Sequence, residues 1–283
     1  MTRRVVVGFD GSPAAVAARA WAAGEARLRG AELVVWTIQR GPESRGPADT
    51  GAAQRPRRSY EDSAGGYPVR VRHGSGDAAT ALVAACTRAD LLVVGSRGRG
   101  PLGGLVLGSV SRACLAHAPC PVVVVRPQPG QASSRGRVVV GVDGSSHSRQ
   151  ALRIAADEAR LRGAVLAVVH AVYWDNSGEE LLTPTNKQLV EWGRKLVAAE
   201  LAATGVTGRP VVVHGHASEV LVRRSAHADL LVVGARGRNP VTSLLLGSTS
   251  ENCARHAHCP VMVTHPPKSG PPAARLKWSY TAR

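Results

Sequence analysis

A chain of 283 residues with 44% hydrophobic content bounds the answer to one large or two ordinary globular domains and excludes a disordered chain. No apolar run approaches the roughly 20 residues of a membrane span, which argues against a membrane partner, and the opening MTRRVVVGFD passes straight into a strand-like run without a signal-peptide core, so the expected compartment is the cytoplasm. The formal net charge of +16 raises contact with polyanions, yet the arginines are spread along the chain without a basic run or aromatic-interleaved motif, which argues against nucleic acid and for help with an anionic small ligand.

The first apolar run, 5–9, reads as a strand and is followed by Gly8-Phe-Asp10-Gly11-Ser12. Ser12 is placed to cap a helix, Pro13 suits its first position, and Gly30 follows its end. Further Val/Leu runs at 33–38, 69–72, 91–94 and 121–125 do not alternate apolar with polar, so they read as strands buried on both faces. Alternation of such strands with Ala-rich amphipathic stretches predicts right-handed crossovers and a parallel sheet. The stretch 41–67, rich in Gly, Pro, Arg and Ser, cannot form a long amphipathic helix and reads as a mobile loop.

The chain then repeats. VVVGFDGSPAAVAARAWAAGEARLRGAELVVW from Val5 recurs as VVVGVDGSSHSRQALRIAADEARLRGAVLAVV from Val138, with Ser145 and Gly163 in the places of Ser12 and Gly30. Residues 93–111, VVGSRGRGPLGGLVLGSVS, recur as 232–250, VVGARGRNPVTSLLLGSTS, with twelve of nineteen positions identical. The copies are too long for solenoid repeats, so each is read as a domain: 1–128 and 136–266, with a Pro/Gly/Ser-rich linker at 129–135 and a basic, disordered tail at 267–283. The second copy carries TPTNKQLVEWGRKLVAAELAAT at 183–204, whose Leu189, Trp192, Leu196 and Leu201 can form one helical face; the first copy has no counterpart.

Two loops in each copy suit the carboxyl end of a sheet, where open α/β folds bind ligands. One holds Gly8 and Asp10, or Gly141 and Asp143. The other has the spacing G-x2-G-x9-G-[ST], with Gly95, Gly98, Gly108 and Ser109 in one copy and Gly234, Gly237, Gly247 and Ser248 in the other. The glycines let the backbone turn and approach a ligand, and the following helix start, with Val110 or Thr249, presents free amides to an anion. Arg97, Arg99, Arg236 and Arg238 bring positive charge nearby. This chemistry fits a polyphosphate. It is neither a Walker A loop nor a dinucleotide fingerprint, and turn punctuation carried along by duplication is the alternative. Asp10 and Asp143 could accept from ribose hydroxyls, hold a magnesium ion, or serve a helix start; all three readings stay open.

The four cysteines of the repeated C-x5-C, with Cys86, lack paired metal-site spacing and read as buried, reduced thiols. His117 and His256, before Cys-Pro, suit a helix end.

V-G-x-D-G-S at the first strand end, VVG-x-RGR followed by G-S, and H-A-x-C-P-V before the last strand together resemble a tandem, ATP-binding universal stress protein over residues 3–126 and 136–265. The resemblance implies an α/β fold of two tandem doubly wound, five-stranded parallel-sheet domains, Rossmann-like, with strand order 3-2-1-4-5. It implies dimer-like pairing through the last strands, here between the halves of one chain, with a homodimer and a regulatory protein partner also open. It implies ATP, with magnesium, over both loops. Asp10 and Asp143 would contact the nucleoside end, the glycines with Ser109 and Ser248 would hold ribose and phosphates, and backbone near Ile38 and Ala171 would face adenine. The expected role is nucleotide-dependent regulation in stress response without fast turnover. Slow hydrolysis or autophosphorylation on the same fold, and binding of an acidic partner, are the alternatives. With its extra helix, the second site is expected to bind ATP more tightly.

Overall fold

Each Val/Leu run forms a strand and each Ala-rich stretch a helix in the computed structural model, which describes residues 3–39, 59–61, 67–98, 107–127, 135–173, 185–237 and 246–265. The first half runs β1 (Arg4–Gly8), α1 (Pro13–Arg29), β2 (Glu32–Gln39), β3 (Ser59–Glu61), β4 (Pro68–Ser75), α2 (Ala78–Ala85), β5 (Leu91–Gly95), α3 (Ser109–His117) and β6 (Val122–Val125). The second runs β7 (Arg137–Gly141), α4 (Ser146–Arg162), β8 (Val165–Val172), α5 (Asn186–Thr204), β9 (Arg209–His214), α6 (Ala217–Ser225), β10 (Leu230–Gly234), α7 (Ser248–His256) and β11 (Val261–Thr264). The linker residues 129–134, the tail at 267–283 and most of 41–67 lie outside the described residues.

Local chemistry sets the helix limits. Ser12 Oγ accepts from the Ala15 amide at 3.2 Å, and Gly30 closes α1 in the left-handed region at φ 58°. Ser145 and Gly163 do the same for α4. Thr185 and Gln188 form a reciprocal capping box at the start of α5. The buried side of α5 is Leu189, Gly193, Val197 and Glu200, whereas Trp192 is 53% exposed. Leu196 and Leu201 pack half-buried against the same core, so of the expected face only Trp192 turns outward. The cause is Gly193, where an added Cβ would stand 2.7 Å from Val212 Cγ1, so the helix presses its backbone against β8 and β9 there.

All the strands among the described residues join one eleven-stranded sheet of order β3-β4-β2-β1-β5-β6-β11-β10-β7-β8-β9. Within each half the parallel strands follow the expected 3-2-1-4-5 order. The first half adds β3, antiparallel to β4 with Tyr60 opposite Val69, which the sequence did not suggest. The halves meet where β6 and β11 pair antiparallel, with Val123 opposite Met262. These two residues are repeat equivalents, so a pseudo-twofold passes between them.

One core lies on the α2, α3, α6 and α7 side and the other under α1, α4 and α5; both run unbroken across the β6–β11 seam. Val122 and Val123 are fully buried there, each contributing about 1.5–3 kcal/mol. On the second face, α1 and α4 meet through a four-charge cluster that obeys the same pseudo-symmetry. Arg29 Nη2 donates to Glu25 at 2.6 Å and to Glu158 at 2.7 Å, and Arg162 closes the ring on Glu158 and Glu25. On the first face Arg112 of α3 faces Glu251 of α7 at 3.4 Å, again at repeat-equivalent positions. All five cysteines are free and buried; burial pushes the Cys114, Cys253 and Cys259 thiols up to about 12. No helix among the described residues is long and apolar enough to cross a membrane.

Candidate functional site

β1 and β5, neighbours at the centre of the first half, both end at the same edge of the sheet, and so do β7 and β10 in the second. The loops leaving these strand ends fold against each other. After Gly8, Asp10 Oδ1 accepts from the Ser12 amide at 3.0 Å and so fixes a tight turn through Gly11, whose φ is 79°. Ser12 then donates from its hydroxyl to the Arg97 carbonyl at 3.3 Å, joining the first loop to the second. In the second half Asp143 Oδ1 accepts from the Ser145 amide, also at 3.0 Å.

The other carboxylate oxygen explains the glycine pattern. A Cβ on Gly98 would stand 2.7 Å from Asp10 Oδ2, and one on Gly237 would stand 2.8 Å from Asp143 Oδ2. Gly95 and Gly234 serve a second close approach: a Cβ would meet the carbonyl carbon of Ala14 at 2.8 Å and that of His147 at 2.9 Å. The strand ends therefore sit directly against the first turn of α1 and of α4. Oδ2 of each aspartate accepts no hydrogen bond from the described residues and lies beside the glycine backbone.

The helix starts complete the two walls. Gly108 donates from its amide to the Ser96 carbonyl at 2.9 Å and Gly247 to the Ala235 carbonyl at 2.8 Å, which hold the amino ends of α3 and α7 against the strand ends. Ser111 Oγ donates to the Gly95 carbonyl at 2.6 Å, and Ser250 Oγ to the Gly234 carbonyl at 2.5 Å. Gly108 and Gly247 are the capping residues, and no side chain caps either helix. The first-turn amides of Ser109 and Val110, and of Ser248 and Thr249, thus keep their donors for another acceptor, with the positive end of the helix behind them.

Charge in the crevices is positive but differs between halves. Burial, and then the nearby Arg97, hold the Arg126 guanidinium below its ordinary range, so two cations crowd the first crevice. In the second, burial and then Arg236 hold the His147 imidazole below its ordinary value, with Asp143 pulling the other way. An anion would relieve both strains. Tyr173 and His216 stack at 3.9 Å between ring centroids near the carboxyl ends of β8 and β9.

The structure thus brings together Gly8, Asp10, Gly95, Arg97, Gly98, Gly108, Ser109 and Val110 in one half. It brings together Gly141, Asp143, Gly234, Arg236, Gly237, Gly247, Ser248 and Thr249 in the other. Ile38 and Ala171 lie toward the carboxyl ends of β2 and β8, with side chains packed on the first core. Arg99 and Arg238 lie outside the described residues. Sequence reasoning missed Ser111, Ser250, Arg126 and His147. For the two serines a signal existed, since the G-S-x-S run is identical in both copies.

Two doubly wound α/β halves fused through their last strands, each with a glycine-walled crevice at the carboxyl ends of its central strands, define a tandem member of the Rossmann-like class. The chain belongs to the universal stress protein family, whose model matches residues 1–126 and 134–265. It is 35% identical over 286 residues to a universal stress protein of Mycolicibacterium smegmatis, covering 93% of this chain and 97% of that one. It is 34% identical over 291 residues to a universal stress protein of Mycobacterium tuberculosis, covering 92% and 95%. In fold alone it is similar to the crystal structure of a universal stress protein from Archaeoglobus fulgidus, with a TM-score of 0.65 at 21% identity over 94% of this chain and 97% of that one.

Proposed function

We propose that both crevices bind ATP and that its occupancy, rather than its rapid turnover, is the functional signal. The observation that carries this reading is the close approach of Gly98 to Asp10 Oδ2 and of Gly237 to Asp143 Oδ2 above an uncapped helix start, built twice. Main-chain amides, the Ser109 and Ser248 hydroxyls and an adjacent arginine favour phosphate charge. Oδ2 of Asp10 or Asp143 is an acceptor fit for a ribose hydroxyl. Among the described residues no group of three or more His, Cys, Asp and Glu side chains could hold a metal ion. Magnesium, if it accompanies the nucleotide, would be carried chiefly on the phosphates, with a single carboxylate as protein ligand.

The donor set suits capture more than chemistry. Neutral amides and arginines stabilise charge without moving a proton, and the aspartate is held by the Ser12 or Ser145 amide through its other oxygen. Native mass spectrometry of the protein as purified tests this reading. Co-purifying intact ATP, at up to two molecules per chain, is the expected result; ADP alone, or steady ATP loss on incubation, would replace binding with turnover.

A further inference from the structure

At the other end of the strands the second half holds a cavity that the crevices do not use. It has a volume of about 820 Å³ and wraps the β9 edge from the face beside α6 to the flank of α5. Its apolar floor on the α6 face is the exposed Val165 and the half-buried Val211, underlain by the core residues Val139, Ala167 and Val169. Arg137 and Arg209, from the amino ends of β7 and β9, Arg194 of α5 and Arg224 of α6 surround that floor. Among the described residues no carboxylate pairs with any of these four guanidiniums.

The first half shows how such a place is neutralised. There Arg4 and Arg70 stand at the repeat-equivalent positions of Arg137 and Arg209, and Glu32 bridges them at 3.1 and 2.9 Å. The residue equivalent to Glu32 is Val165, which pairs with Arg137 in the sheet and is 56% exposed. The second half has thus kept the cations and replaced their carboxylate by an apolar side chain. Four guanidiniums with no carboxylate partner among the described residues, set around an apolar floor, favour a ligand with both characters, because arginine is suited to bidentate phosphate contact. The volume falls in the ordinary range for small-molecule pockets.

We propose that this cavity binds an amphipathic anion, a single alkyl or acyl chain bearing a phosphate head, with the head on Arg137, Arg209 and Arg224 and the chain on Val165 and Val211. An added peptide strand fits less well. In the first half β3 covers the β4 edge by pairing with Pro68, Val69 and Arg70. At the second edge Pro210 lacks the amide that a partner strand would need. The site shares no residue with the nucleotide crevices, so it stands or falls independently of them.

Calorimetry of the full chain with dodecyl phosphate tests the proposal, with dodecanol and inorganic phosphate as separate arms. Dodecyl phosphate is expected to bind, and each single-character probe to bind about tenfold more weakly or worse. Val165→Glu, which installs the carboxylate of the first half, and the exposed Arg224→Gln are each expected to weaken dodecyl phosphate binding by about tenfold. The thermal midpoint of each variant, measured alongside, shows that it is folded. No binding to the parent chain, equal binding of dodecanol, equal binding of inorganic phosphate, or unchanged affinity in both folded variants would overturn the proposal.

Discussion

Asp143 Oδ2 lies where a side chain on Gly237 would have to go: a Cβ there would come within 2.8 Å of it. Asp10 and Gly98 repeat the relationship at 2.7 Å. The acidic residue after the first strand and the second glycine of the long motif are therefore one device, split across the sequence by about two thirds of a domain. Gly237→Ala must displace the Asp143 carboxylate from the crevice. ATP affinity of the second crevice is expected to fall by about tenfold or more, read by calorimetry, with the first crevice unaffected.

The two crevices should differ. The second is flanked by α5 and by the Tyr173–His216 stack, and the described residues of the first half contain no counterpart of either. Gly108→Ala and Gly247→Ala each bring a methyl within reach of backbone, 3.4 Å from Arg97 Cα and 3.2 Å from the Ala235 carbonyl. The second variant is expected to remove the tighter phase of ATP binding and the first the weaker one. Equal losses in separate titrations would contradict this asymmetry.

The Arg29–Glu25–Glu158–Arg162 cluster joins the halves with side chains no more than 11% exposed. Burial opposes the charge on Arg29, but Glu158 and Glu25 outweigh it, so the guanidinium is held above its ordinary range. Arg29→Met strands two buried carboxylates on one remaining arginine. It is expected to cost about 3–5 kcal/mol in denaturant unfolding. Replacing all four members by apolar residues of similar volume should recover most of that loss.

Arg112 and Glu251 make the contrasting case, with side chains 49% and 27% exposed. Because they are repeat equivalents, this pair favours the two halves facing each other over either half facing its own copy. Glu251→Arg creates a like-charged pair and also removes the Arg255 contact. Solvent screening limits the loss to about 1 kcal/mol, measurable by the same unfolding titration.

His147 makes the second half sensitive to acid. Its folded value lies below the ordinary 6.5, first through burial and then through Arg236. The unfolded chain therefore binds the proton more readily, and stability rises with pH across the interval between the two values. The contribution is complete above about pH 6.5 and is lost as pH falls toward the folded value. Thermal midpoints between about pH 7.5 and about pH 5.5 are expected to drop less in His147→Ala than in the parent chain.

Much of this architecture was legible in the residues. Runs such as Val5–Val7 and Leu91–Val94 read as strands buried on both faces because nothing polar interrupts them, and Ser12 and Gly30 mark the α1 limits by side-chain chemistry. The crevice glycines stood out because duplication kept their spacing while neighbouring residues changed. What escaped reading depends on distant contacts. Arg126 and His147 occur in the crevice in one half each, so no repeat marked them. The short β3 sits in a Gly/Pro/Arg-rich stretch and is formed by the edge of β4 rather than by its own propensity. Arginines that looked scattered along the chain are gathered by β7, α5, β9 and α6 around one cavity. Trp192 looked apolar enough to be buried, but the demand for close backbone approach at Gly193 turned it outward.

The most direct measurement is calorimetric titration of the parent chain with ATP in the presence of magnesium. Twin crevices predict two binding events per chain, with Gly98→Ala and Gly237→Ala each weakening one of them by about tenfold or more. No heat from the parent chain, or unchanged ATP affinity when both glycines are replaced, would contradict the assignment of these crevices as nucleotide sites.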